Sequence, residues 1–580
     1  MIGYLRTLAT DFDGTLTHDG RRPEDRVLAS LRRIRSEGAL VVLVTGRILS
    51  ELHEVFPDAE EHFDAIVAEN GAVLWNGGHR RLLATPVDPG LVDGLAARGV
   101  RVRHGEVLVA GSASDRIAVL EEIHDRGLDY QLIFNRNELM ILPAGVNKGT
   151  GLFDALGDLG VSRHSAIGVG DAENDHALLD VCEVGVAVSD AVPSLHSFAD
   201  LVMTEPDGRG VAELLESVFG PHPPAIHSGR WKVRLGAADG RRTASVPSSQ
   251  MNILICGESG TGKSHLVGLF AERVIGQGYC VLVLDPEGDH QDLGRLRGVA
   301  VLNAERGLPK PARIAEIFSQ RFTSVVLDMS GVDETAQRQY LQALASVVEQ
   351  SRAACGLPHW IIGDEAHSTT TVFADSTVVA GTASAQRWGF ALATYRPDLI
   401  DDAVIAQLDA VITMGDGRPP SPELAHLLAR TSRLTLADVV EAVSEIDFGN
   451  AYLAIRPDLG YSTPFQVGSR VTEHRRHWHK YTELNLPEDR SFHFRNRDDE
   501  MVGVASNLRS LTRVLTTCSP DVIEHHARGH DLSRWMRDVF VDPEVTDDFA
   551  DVEDRVCAGT MSGQDAGIAM ARSVHRRFGV

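Results

Sequence analysis

A glycine-rich loop near the middle of the chain constrains the fold more than any other stretch. Residues 257–264 read GESGTGKS and match the pattern G-x-x-x-x-G-K-[ST]. An apolar run, 251–256, precedes the loop, and a helical pattern from Leu266 to Ile275 follows it. A strand, a loop and a helix in this order aim backbone N–H groups and a helix N-terminus at one place, which suits phosphate. A glycine-rich turn that matches by chance is the alternative. The predicted phosphate ligands are Gly257, Gly260, Gly262 and Lys263, and the predicted Mg²⁺ ligand is Ser264.

Composition sets broad limits on the number of domains and on partners. A chain of 580 residues corresponds to roughly three or four domains at about 150 residues each. The formal net charge of −25 argues against a protein coated in nucleic acid or lying on an anionic membrane. The six cysteines are scattered, with no C-x-x-C pair, and the first residues carry no signal-peptide pattern. No apolar run approaches the roughly 20 residues that span a bilayer, so we expect a cytoplasmic protein.

A second phosphate-handling pattern lies close to the N-terminus. Leu8-Ala9-Thr10 leads into Asp11-Phe12-Asp13-Gly14. Two aspartates two residues apart at a strand end can face one pocket and share Mg²⁺, which prefers oxygen ligands. One of them can then attack phosphorus while the other transfers protons. Solvated turns also read Asp-x-Asp-Gly, so this motif depends on its companions.

Three more strand ends carry matching chemistry. The apolar run 40–44 ends at Thr45, whose hydroxyl suits phosphate. Lys148 begins a helical pattern and can offset the charge of a phosphoryl group. The run 166–170 ends in Asp171-Ala172-Glu173-Asn174-Asp175, which can complete a metal site. Taken alone, Thr45 and Lys148 are typical of a helix cap and a solvated lysine, but this order of four motifs is difficult to reach by chance.

Residues 1–219 resemble the haloacid dehalogenase (HAD) superfamily of phosphohydrolases. The resemblance implies a Rossmann-like core with the site at the carboxyl ends of parallel strands. It implies Asp11 as the nucleophile that forms an aspartyl-phosphate, Asp13 as the general acid/base, and Thr45 and Lys148 as phosphoryl ligands. It also implies that Mg²⁺ is held at Asp11, Asp13, Asp171 and Asp175.

The long gap between the second and third motifs predicts an inserted domain. Residues 68–72, AENGA, resemble the Cof-type, sugar-phosphatase-like branch. We interpret residues 74–146, which alternate strand and helix patterns, as an α/β cap that closes over the substrate. The family points to small phosphorylated metabolites, such as sugar phosphates or phosphoglycolate. The polar turn 135–137 is more typical of a hairpin than of a specificity loop.

Residues 248–470 hold the glycine-rich loop and further strands that end in acids. ATP hydrolysis needs an Asp to organise Mg²⁺ and usually a second carboxylate to orient water. Asp364-Glu365 supplies both, whereas Asp328 lacks the second acid. We therefore assign Asp364 to Mg²⁺ and Glu365 to the water, with Asp328 as a structural residue.

The motif order 248–470 resembles the HerA/FtsK-type branch of P-loop motors. The resemblance implies ATP bound between subunits of an oligomer, often a hexamer, with Arg396 or, as the weaker candidate, Arg387 as an arginine finger acting on a neighbouring subunit. A surface salt bridge is the alternative for Arg396. Tyr395 occupies a position where the branch commonly has Gln, which weakens the link to a nucleic-acid track.

Two stretches are less specific. Residues 220–247 contain Pro221-His222-Pro223-Pro224 and are expected to be a solvated linker with a short strand. Residues 471–580 show helical periodicity from Asn507 to Asp538 and are expected to form a small, mainly helical accessory module. The His-rich run 474–481 fits a basic linker better than a zinc site, because no second ligand pair follows.

Three functions fit these patterns. The first is an Mg²⁺-dependent small-molecule phosphatase fused to an ATPase. The second is a nucleic-acid motor whose HAD domain trims phosphate ends, which the net charge of −25 disfavours. The third is a regulatory scaffold with residual phosphatase activity. The four complete motifs and the large cap favour the first.

Overall fold

The structure is a computed structural model that describes residues 3–135, 137–220, 223–240, 242–304, 307–320, 322–366, 389–472, 486, 490–540 and 542–578. Contacts divide the chain into two compact units. The larger contains Met1–Pro286 and His290–His474, and the smaller contains Glu287–Asp289 and Arg475–Val580. The predicted α/β class, with two sheets of largely parallel strands, is confirmed.

The first part of the larger unit, residues 3–220, alternates short strands and helices. Its strands are β1 (Thr7–Thr10), β2 (Leu40–Val44), β3 (Ala65–Ala68), β4 (Val73–Asn76), β5 (His79–Leu82), β6 (Arg103–His104), β7 (Val109–Ser112), β8 (Tyr130–Asn135), β9 (Glu138–Pro143), β10 (Ala166–Gly170), β11 (Val184–Ala187) and β12 (Leu201–Val202). Its helices are α1 (Asp25–Ser36), α2 (Leu49–Val55), α3 (Ala59–His62), α4 (Pro89–Ala97), α5 (Arg116–Asp125), α6 (Lys148–Asp158), α7 (His176–Val181), α8 (Pro193–Phe198) and α9 (Asp207–Val218).

Eight of these strands form the core sheet, in the order β12-β11-β10-β1-β2-β3-β4-β5. The strands from β12 to β3 are parallel, and β1 pairs with both β2 and β10. β1, β3, β10 and β11 are buried along their whole length, as strands covered on both faces must be. The carboxyl ends of β1, β2 and β10 therefore meet at one edge of the sheet.

The cap is shorter than the expected 74–146. β4 and β5 are antiparallel additions to the core sheet, so the cap sheet begins only at β6, in the order β6-β7-β9-β8. β8 and β9 pair antiparallel on either side of the expected hairpin turn 135–137. Alternating apolar residues predict a strand correctly but do not tell which sheet it joins. The turn residue Arg136 lies outside the described residues.

The second part of the larger unit contains the glycine-rich loop. Its strands are β13 (Lys232–Ala238), β14 (Thr243–Pro247), β15 (Asn252–Cys256), β16 (Val281–Asp285), β17 (Val299–Asn303), β18 (Ser324–Asp328), β19 (Trp360–Gly363), β20 (Phe390–Thr394), β21 (Ala410–Met414), β22 (Asn450–Ile455) and β23 (Thr463–Val467). Its helices are α10 (Lys263–Gly276), α11 (Pro311–Ser319), α12 (Glu334–Cys355) and three unlabelled helices, Asp402–Ile405, Pro422–Ser432 and Leu436–Ser444.

These strands form one sheet in the order β14-β13-β23-β22-β21-β15-β20-β19-β16-β18-β17. From β21 to β17 the strands are parallel. β15 lies between β20 and β21, and β19 is one strand further from it. The loop after β15 and the acids after β19 therefore lie at the same edge.

The stretch 220–247 differs from the solvated linker that we expected. It supplies β13 and β14, an antiparallel pair that joins the sheet through β23. Val233, Leu235 and Val246 are fully buried in the core of this second part. The many charged residues of the stretch concealed the alternation because they occupy the outward positions of β13.

The two parts of the larger unit meet at a buried polar cluster. Glu183, just before β11, accepts hydrogen bonds from Tyr279 Oη (2.8 Å) and from the Ser249 hydroxyl. His164 Nδ1 lies 2.7 Å from the same carboxylate, and His164 Nε2 lies 2.9 Å from the Gln277 carbonyl oxygen. Because these residues lie before β10, β11, β15 and β16, the contact uses the amino ends of strands from both sheets.

The smaller unit is mainly helical, but it begins with a hairpin. β24 (Phe492–Arg495) pairs with β25 (Met501–Ala505). The helical periodicity expected from Asn507 to Asp538 resolves into separate helices, which continue further along the chain. They span Leu508–Thr517, Pro520–Arg528, Asp531–Trp535, Pro543–Cys557 and Gly563–Phe578. Pro520 and Pro543 each stand at a helix start, where the missing N–H costs nothing. The His-rich run 474–481 lies outside the described residues.

Candidate functional site

Three buried carboxylates meet at the edge of the core sheet. Asp11 follows β1, and Asp171 and Asp175 follow its parallel neighbour β10. One oxygen from each lies within 4.8 Å of the others. A Cβ on Gly14 would lie 2.3 Å from Asp171 Oδ2, so only glycine permits this approach. The Thr15 hydroxyl donates to Asp171 Oδ1 (3.0 Å) and helps to orient it.

Lys148 is the cation of this cluster. Lys148 lies at the start of α6 and is 1% exposed. Its Nζ lies 2.6 Å from both Asp11 Oδ1 and Asp175 Oδ1. Burial alone would lower the pKa of Lys148, but the charges of Asp11 and Asp175 outweigh burial and raise it. Burial raises the pKa of Asp11 well above its usual range, and the charge of Asp175 adds to this, while Lys148 opposes it.

The donor set fits a divalent cation. Three buried carboxylates face one ammonium, which leaves an excess of negative charge in a site with little water. Carboxylate oxygens are the ligands that Mg²⁺ prefers. Asp11, Asp171 and Asp175 are the residues that would hold the ion. The carboxylate of Asp13 is not part of this group.

Asp13 instead pairs with Arg47, a residue for which no role was expected. Arg47 Nε and Nη2 donate to the two Asp13 oxygens at 2.7 and 2.6 Å. The backbone N–H of Arg47 donates to the Thr45 hydroxyl (3.1 Å), which orients that side chain beside the cluster. Arg47 lies two positions after the strand-end residue Thr45. This spacing could have indicated that its side chain lies near the site.

The turn Glu69–Gly71 joins the core to the cap. Both oxygens of the buried Glu69 carboxylate accept backbone N–H groups of the loop 106–108, at 2.8 to 3.0 Å. Asn70 N donates to the Thr45 carbonyl oxygen (3.0 Å), and Asn70 Oδ1 accepts from Asn174 Nδ2 (3.2 Å). The sequence singled out this turn only as a family feature, so its contact with the site is a finding of the structure.

The glycine-rich loop has the backbone that the motif predicts. Gly257, Gly260 and Gly262 have φ of 152°, 84° and 103°, which side-chain-bearing residues rarely adopt. Lys263 begins α10, and its Nζ donates to the Glu258 carbonyl oxygen across the loop (2.9 Å). Burial lowers the pKa of Lys263, and the carboxylates of Glu365 and Asp364 oppose this.

Asp364 is held in place from two sides. Its Oδ2 lies 3.0 Å from Nε2 of the buried His290, and its Oδ1 accepts the Glu365 N–H at 3.0 Å. Burial opposes ionisation of Asp364, but the hydrogen bond and charge of His290, with the Ser264 hydroxyl adding to them, lower its pKa to about 2. Asp364 and Ser264 are the residues that would share one Mg²⁺. Asp328 accepts from Gln291, Asn303 and Ser330, which fits a structural role.

Arg396 forms a salt bridge with a near neighbour in sequence. Its Nε and Nη2 donate to the two Asp398 oxygens at 2.9 and 2.8 Å, and its side chain is 47% exposed. Tyr395 lies beside the loop, with its ring centre 5.9 Å from Lys263 Nζ. Arg387 lies outside the described residues.

Comparison with known proteins separates the two parts of the larger unit. The haloacid dehalogenase-like hydrolase family matches residues 8–93 and 107–215. The family described as helicase HerA, central domain, matches residues 249–323. The second match contains the glycine-rich loop and ends before Asp364.

Individual relatives match the first part. The phosphoglycolate phosphatase of Methanothermobacter thermautotrophicus is 28% identical over 224 residues, 37% of this chain and 100% of that protein. The phosphoglycolate phosphatase of Halorubrum lacusprofundi is 31% identical over 224 residues, 36% of this chain and 95% of that protein. The crystal structure of a haloacid dehalogenase-like hydrolase from Bacteroides thetaiotaomicron matches with 21% sequence identity and a TM-score of 0.32. This match covers 37% of the present chain and 98% of the Bacteroides chain.

Within the described part of the chain, no helix is both long and apolar enough to cross a membrane.

Proposed function

The chain belongs to the haloacid dehalogenase-like hydrolases through residues 8–215, and from this premise we propose that it is an Mg²⁺-dependent phosphatase of a small phosphorylated metabolite. The observation that carries the proposal is the contact of Lys148 with Asp11 and Asp175 at 2.6 Å. It places a buried cation beside the predicted nucleophile, where a phosphoryl group would need its charge balanced. Sugar phosphates and phosphoglycolate-like esters are the substrate classes we propose.

The reaction uses two carboxyl groups in turn. An oxygen of Asp11 attacks phosphorus, and the bond from phosphorus to the ester oxygen breaks as Asp13 gives that oxygen a proton. Asp13 then takes a proton from water, whose oxygen attacks the aspartyl-phosphate and releases phosphate and free Asp11. Bound Mg²⁺ would offset the negative charge of the phosphoryl oxygens. Arg47 donates to one lone pair on each oxygen of Asp13, so it would hold this carboxyl group in place while a second lone pair carries the transferred proton.

The second part of the larger unit, in this proposal, binds and hydrolyses ATP. Lys263 and the backbone of the glycine-rich loop hold the phosphates, Ser264 and Asp364 hold Mg²⁺, and Glu365 orients the attacking water. The position of Lys263 and Ser264 in the first turn of α10, directly after the glycine-rich loop, supports this assignment. The assembly of a ring, with Arg396 reaching a neighbouring subunit, is part of the same proposal. All six cysteines are free, which supports a cytoplasmic location.

Phosphate release by the purified full-length protein tests both activities. We would supply Mg²⁺ and either a panel of phosphate monoesters or ATP, and compare Asp11→Asn with Lys263→Ala. We expect Asp11→Asn to abolish monoester hydrolysis alone and Lys263→Ala to abolish ATP hydrolysis alone. Monoester hydrolysis that survives Asp11→Asn would contradict the assigned nucleophile.

A second candidate function is a nucleic-acid motor whose HAD domain processes phosphate ends. The match to the HerA central domain favours it. Double-stranded DNA added to the same ATP assay separates the two. ATP hydrolysis that depends on Lys263 and is accelerated by DNA, without monoester turnover, would favour the motor.

A further inference from the structure

A thiol, an imidazole and a buried carboxylate lie in a row in the smaller unit. Cys557 is the exposed last residue of the helix Pro543–Cys557, and Glu553 lies one turn before it on the same helix. His530 lies beside both residues. Its Nε2 is 4.0 Å from Cys557 Sγ, and its Nδ1 is 3.4 Å from Glu553 Oε2. The imidazole therefore faces the thiol with one nitrogen and the carboxylate with the other.

The carboxylate of Glu553 is fixed in place and keeps one oxygen for the imidazole. Glu553 is fully buried, and its Oε1 accepts the backbone N–H groups of Leu532 and Ser533 at 3.0 and 3.1 Å. Its Oε2 is buried and accepts no hydrogen bond from any residue that the structure describes. Buried polar atoms are rarely left in this condition. A small rotation of His530 would bring Nδ1–H onto this oxygen and leave Nε2 free to accept a proton.

The backbone of His530 fixes the position of its ring. The φ of His530 is 51°, a left-handed conformation that costs free energy in a residue with a side chain and persists where the surroundings impose it. His530 directly precedes the helix Asp531–Trp535, whose first N–H groups include those that Glu553 binds. The same carboxylate thus holds the backbone after His530 and faces its ring, which is 42% exposed beside the thiol.

The other neighbours of the thiol cannot activate it. The carbonyl oxygen of Ala527 lies 3.9 Å from Cys557 Sγ and cannot take up a proton at neutral pH. Asp554 Oδ1 lies 3.7 Å from His530 Nε2, but this side chain is 74% exposed, so water and salt screen its charge. The free carbonyl groups at a helix C-terminus disfavour an anion there. Any gain in the reactivity of Cys557 over an ordinary thiol must therefore come from His530.

We propose that Cys557 is a modification site for small-molecule disulfides, with His530 as its base and Glu553 as the positioning residue that orients His530. The thiol proton passes to His530 Nε2, and the sulfur attacks one sulfur of the disulfide. The S–S bond of the reagent breaks as the new S–S bond forms, and the departing thiolate takes the proton back from His530. Cys557 and half of the reagent end as a mixed disulfide, and the other half leaves reduced as a free thiol.

Oxidised glutathione, added at pH 7 to the reduced full-length protein, tests this proposal. Mass spectrometry of peptides gives the rate at each cysteine, and the half-buried Cys518 of the same unit is the internal reference. One variant is His530→Asn, because asparagine tolerates left-handed backbone. The other is Glu553→Gln, which keeps an oxygen for the two N–H groups. His525→Asn, at an exposed histidine of the same unit, is the matched control.

We expect the two variants to slow the reaction of Cys557 and to leave that of Cys518 unchanged. About 3% of an ordinary cysteine thiol is ionised at pH 7, so complete transfer of the proton can accelerate the attack by at most about 30-fold. The weaker nucleophilicity of a stabilised thiolate reduces this gain. His530→Asn should therefore slow Cys557 by about 3- to 10-fold and Glu553→Gln by about twofold or more, whereas His525→Asn should change neither rate.

Other results overturn the inference. Equal rates at Cys557 in the wild type and His530→Asn would make it an ordinary surface thiol, and a slower Cys557 in His525→Asn would show that the effect is not specific to His530. A variant that unfolds locally would react faster at Cys518. His530→Gly, in which glycine adopts the left-handed backbone without strain, then repeats the test, and a Cys557 that is not slowed in it contradicts the proposal.

Discussion

The positive charge of Lys148 offsets the repulsion between the buried carboxylates of Asp11 and Asp175. It is the cation that directly contacts the two carboxylates of Asp11 and Asp175, and it is almost fully buried. Charges removed from water must be paired, because the desolvation cost of an unpaired charge exceeds most other terms in folding. The same contact that would stabilise a transferred phosphoryl group therefore also stabilises the folded protein.

Replacement of this lysine should destabilise the protein in a way that Mg²⁺ partly reverses. We expect Lys148→Met to lower the free energy of unfolding by about 3–5 kcal/mol, because the acids lose their buried partner. Denaturant titrations with and without millimolar Mg²⁺ measure this. Lys310→Met, at an exposed lysine, is the control and should be neutral. A loss that Mg²⁺ does not reduce would argue against a cation site at these acids.

His359 should make stability depend on pH. Burial lowers its pKa well below the usual range, with the charges of His164 and Arg352 adding to this, and its Nδ1 accepts the Cys280 N–H at 2.9 Å. Below about pH 6.5 the unfolded chain takes up a proton that folded His359 does not, so the free energy of unfolding falls by up to about 1.4 kcal/mol per pH unit. Above that pH both states are neutral and the effect vanishes.

Denaturant titrations at several pH values between 5 and 8 test this. His359→Asn keeps an acceptor near the position of Nδ1 but does not titrate, so its stability should fall less steeply on acidification than that of the wild type. Parallel pH dependence in the two proteins would show that other groups dominate.

Among the elements, the turn Glu69–Gly71 contacts three other segments of the larger unit. Glu69 binds the cap loop, Asn70 lies beside Thr45 and Gly71 packs on the start of α6. A Cβ on Gly71 would lie 1.9 Å from the Asn147 carbonyl oxygen. Any movement of the turn must therefore shift the cap loop or the helix that carries Lys148.

A single methyl group tests this coupling. Gly71→Ala should cost about 3 kcal/mol or more, because it combines left-handed strain with overlap on backbone, and it should reduce monoester hydrolysis. Gly77→Ala is the matched control, with φ of 56° and nothing within 4 Å of the added carbon, and should cost only about 1–2 kcal/mol. Thermal unfolding and phosphate release give the two readouts. Equal effects of the two variants would mean that the turn yields without moving α6.

Within the larger unit, the two candidate sites lie at the far ends of two sheets that share a polar contact. Glu183, His164, Ser249 and Tyr279 precede strands, whereas the candidate catalytic residues follow strands. The sites are therefore separated by the length of both sheets and cannot exchange a substrate directly. Any effect of ATP on the phosphatase must pass through the contacts between the two parts. These include this buried cluster and the hydrogen bonds of Arg6 to the carbonyl oxygens of Arg352 and Ala353.

Removal of the central carboxylate should loosen the contact between the two parts. Glu183→Ala leaves the buried Tyr279, Ser249 and His164 groups without their shared partner, so we expect a loss of about 3–5 kcal/mol. Calorimetry should show the joint unfolding of the two parts splitting into separate transitions. Glu334→Ala, in an exposed pair with Arg338, should leave the profile unchanged. A single, unshifted transition for Glu183→Ala would show that the cluster does not join the parts.

Local signals were sufficient for the chemistry of the strand ends. The glycine-rich loop, Asp11, Lys148 and Asp364 each follow or begin an element with a clear period, and parallel neighbours bring their ends together without further information. This is why the α/β class and the grouping of the acids could be predicted from the order of motifs. The roles assigned to the site residues, including Asp13, Glu365 and Arg396, stay predictions.

Only the tertiary structure decided which distant segments pair. That β4 and β5 extend the core sheet, that β13 and β14 join the sheet of the glycine-rich loop, and that Asn70 contacts Asn174 all depend on contacts between residues far apart in sequence. The residues of a strand indicate which of its faces is buried but not which strand pairs with it. An amide that will be buried needs a hydrogen-bond partner, but the local sequence does not identify that partner. The elements and the reactive groups that they carry could therefore be predicted from local sequence. The extent of the cap, the contact between the two parts and the surroundings of the site depend on how the folded chain packs.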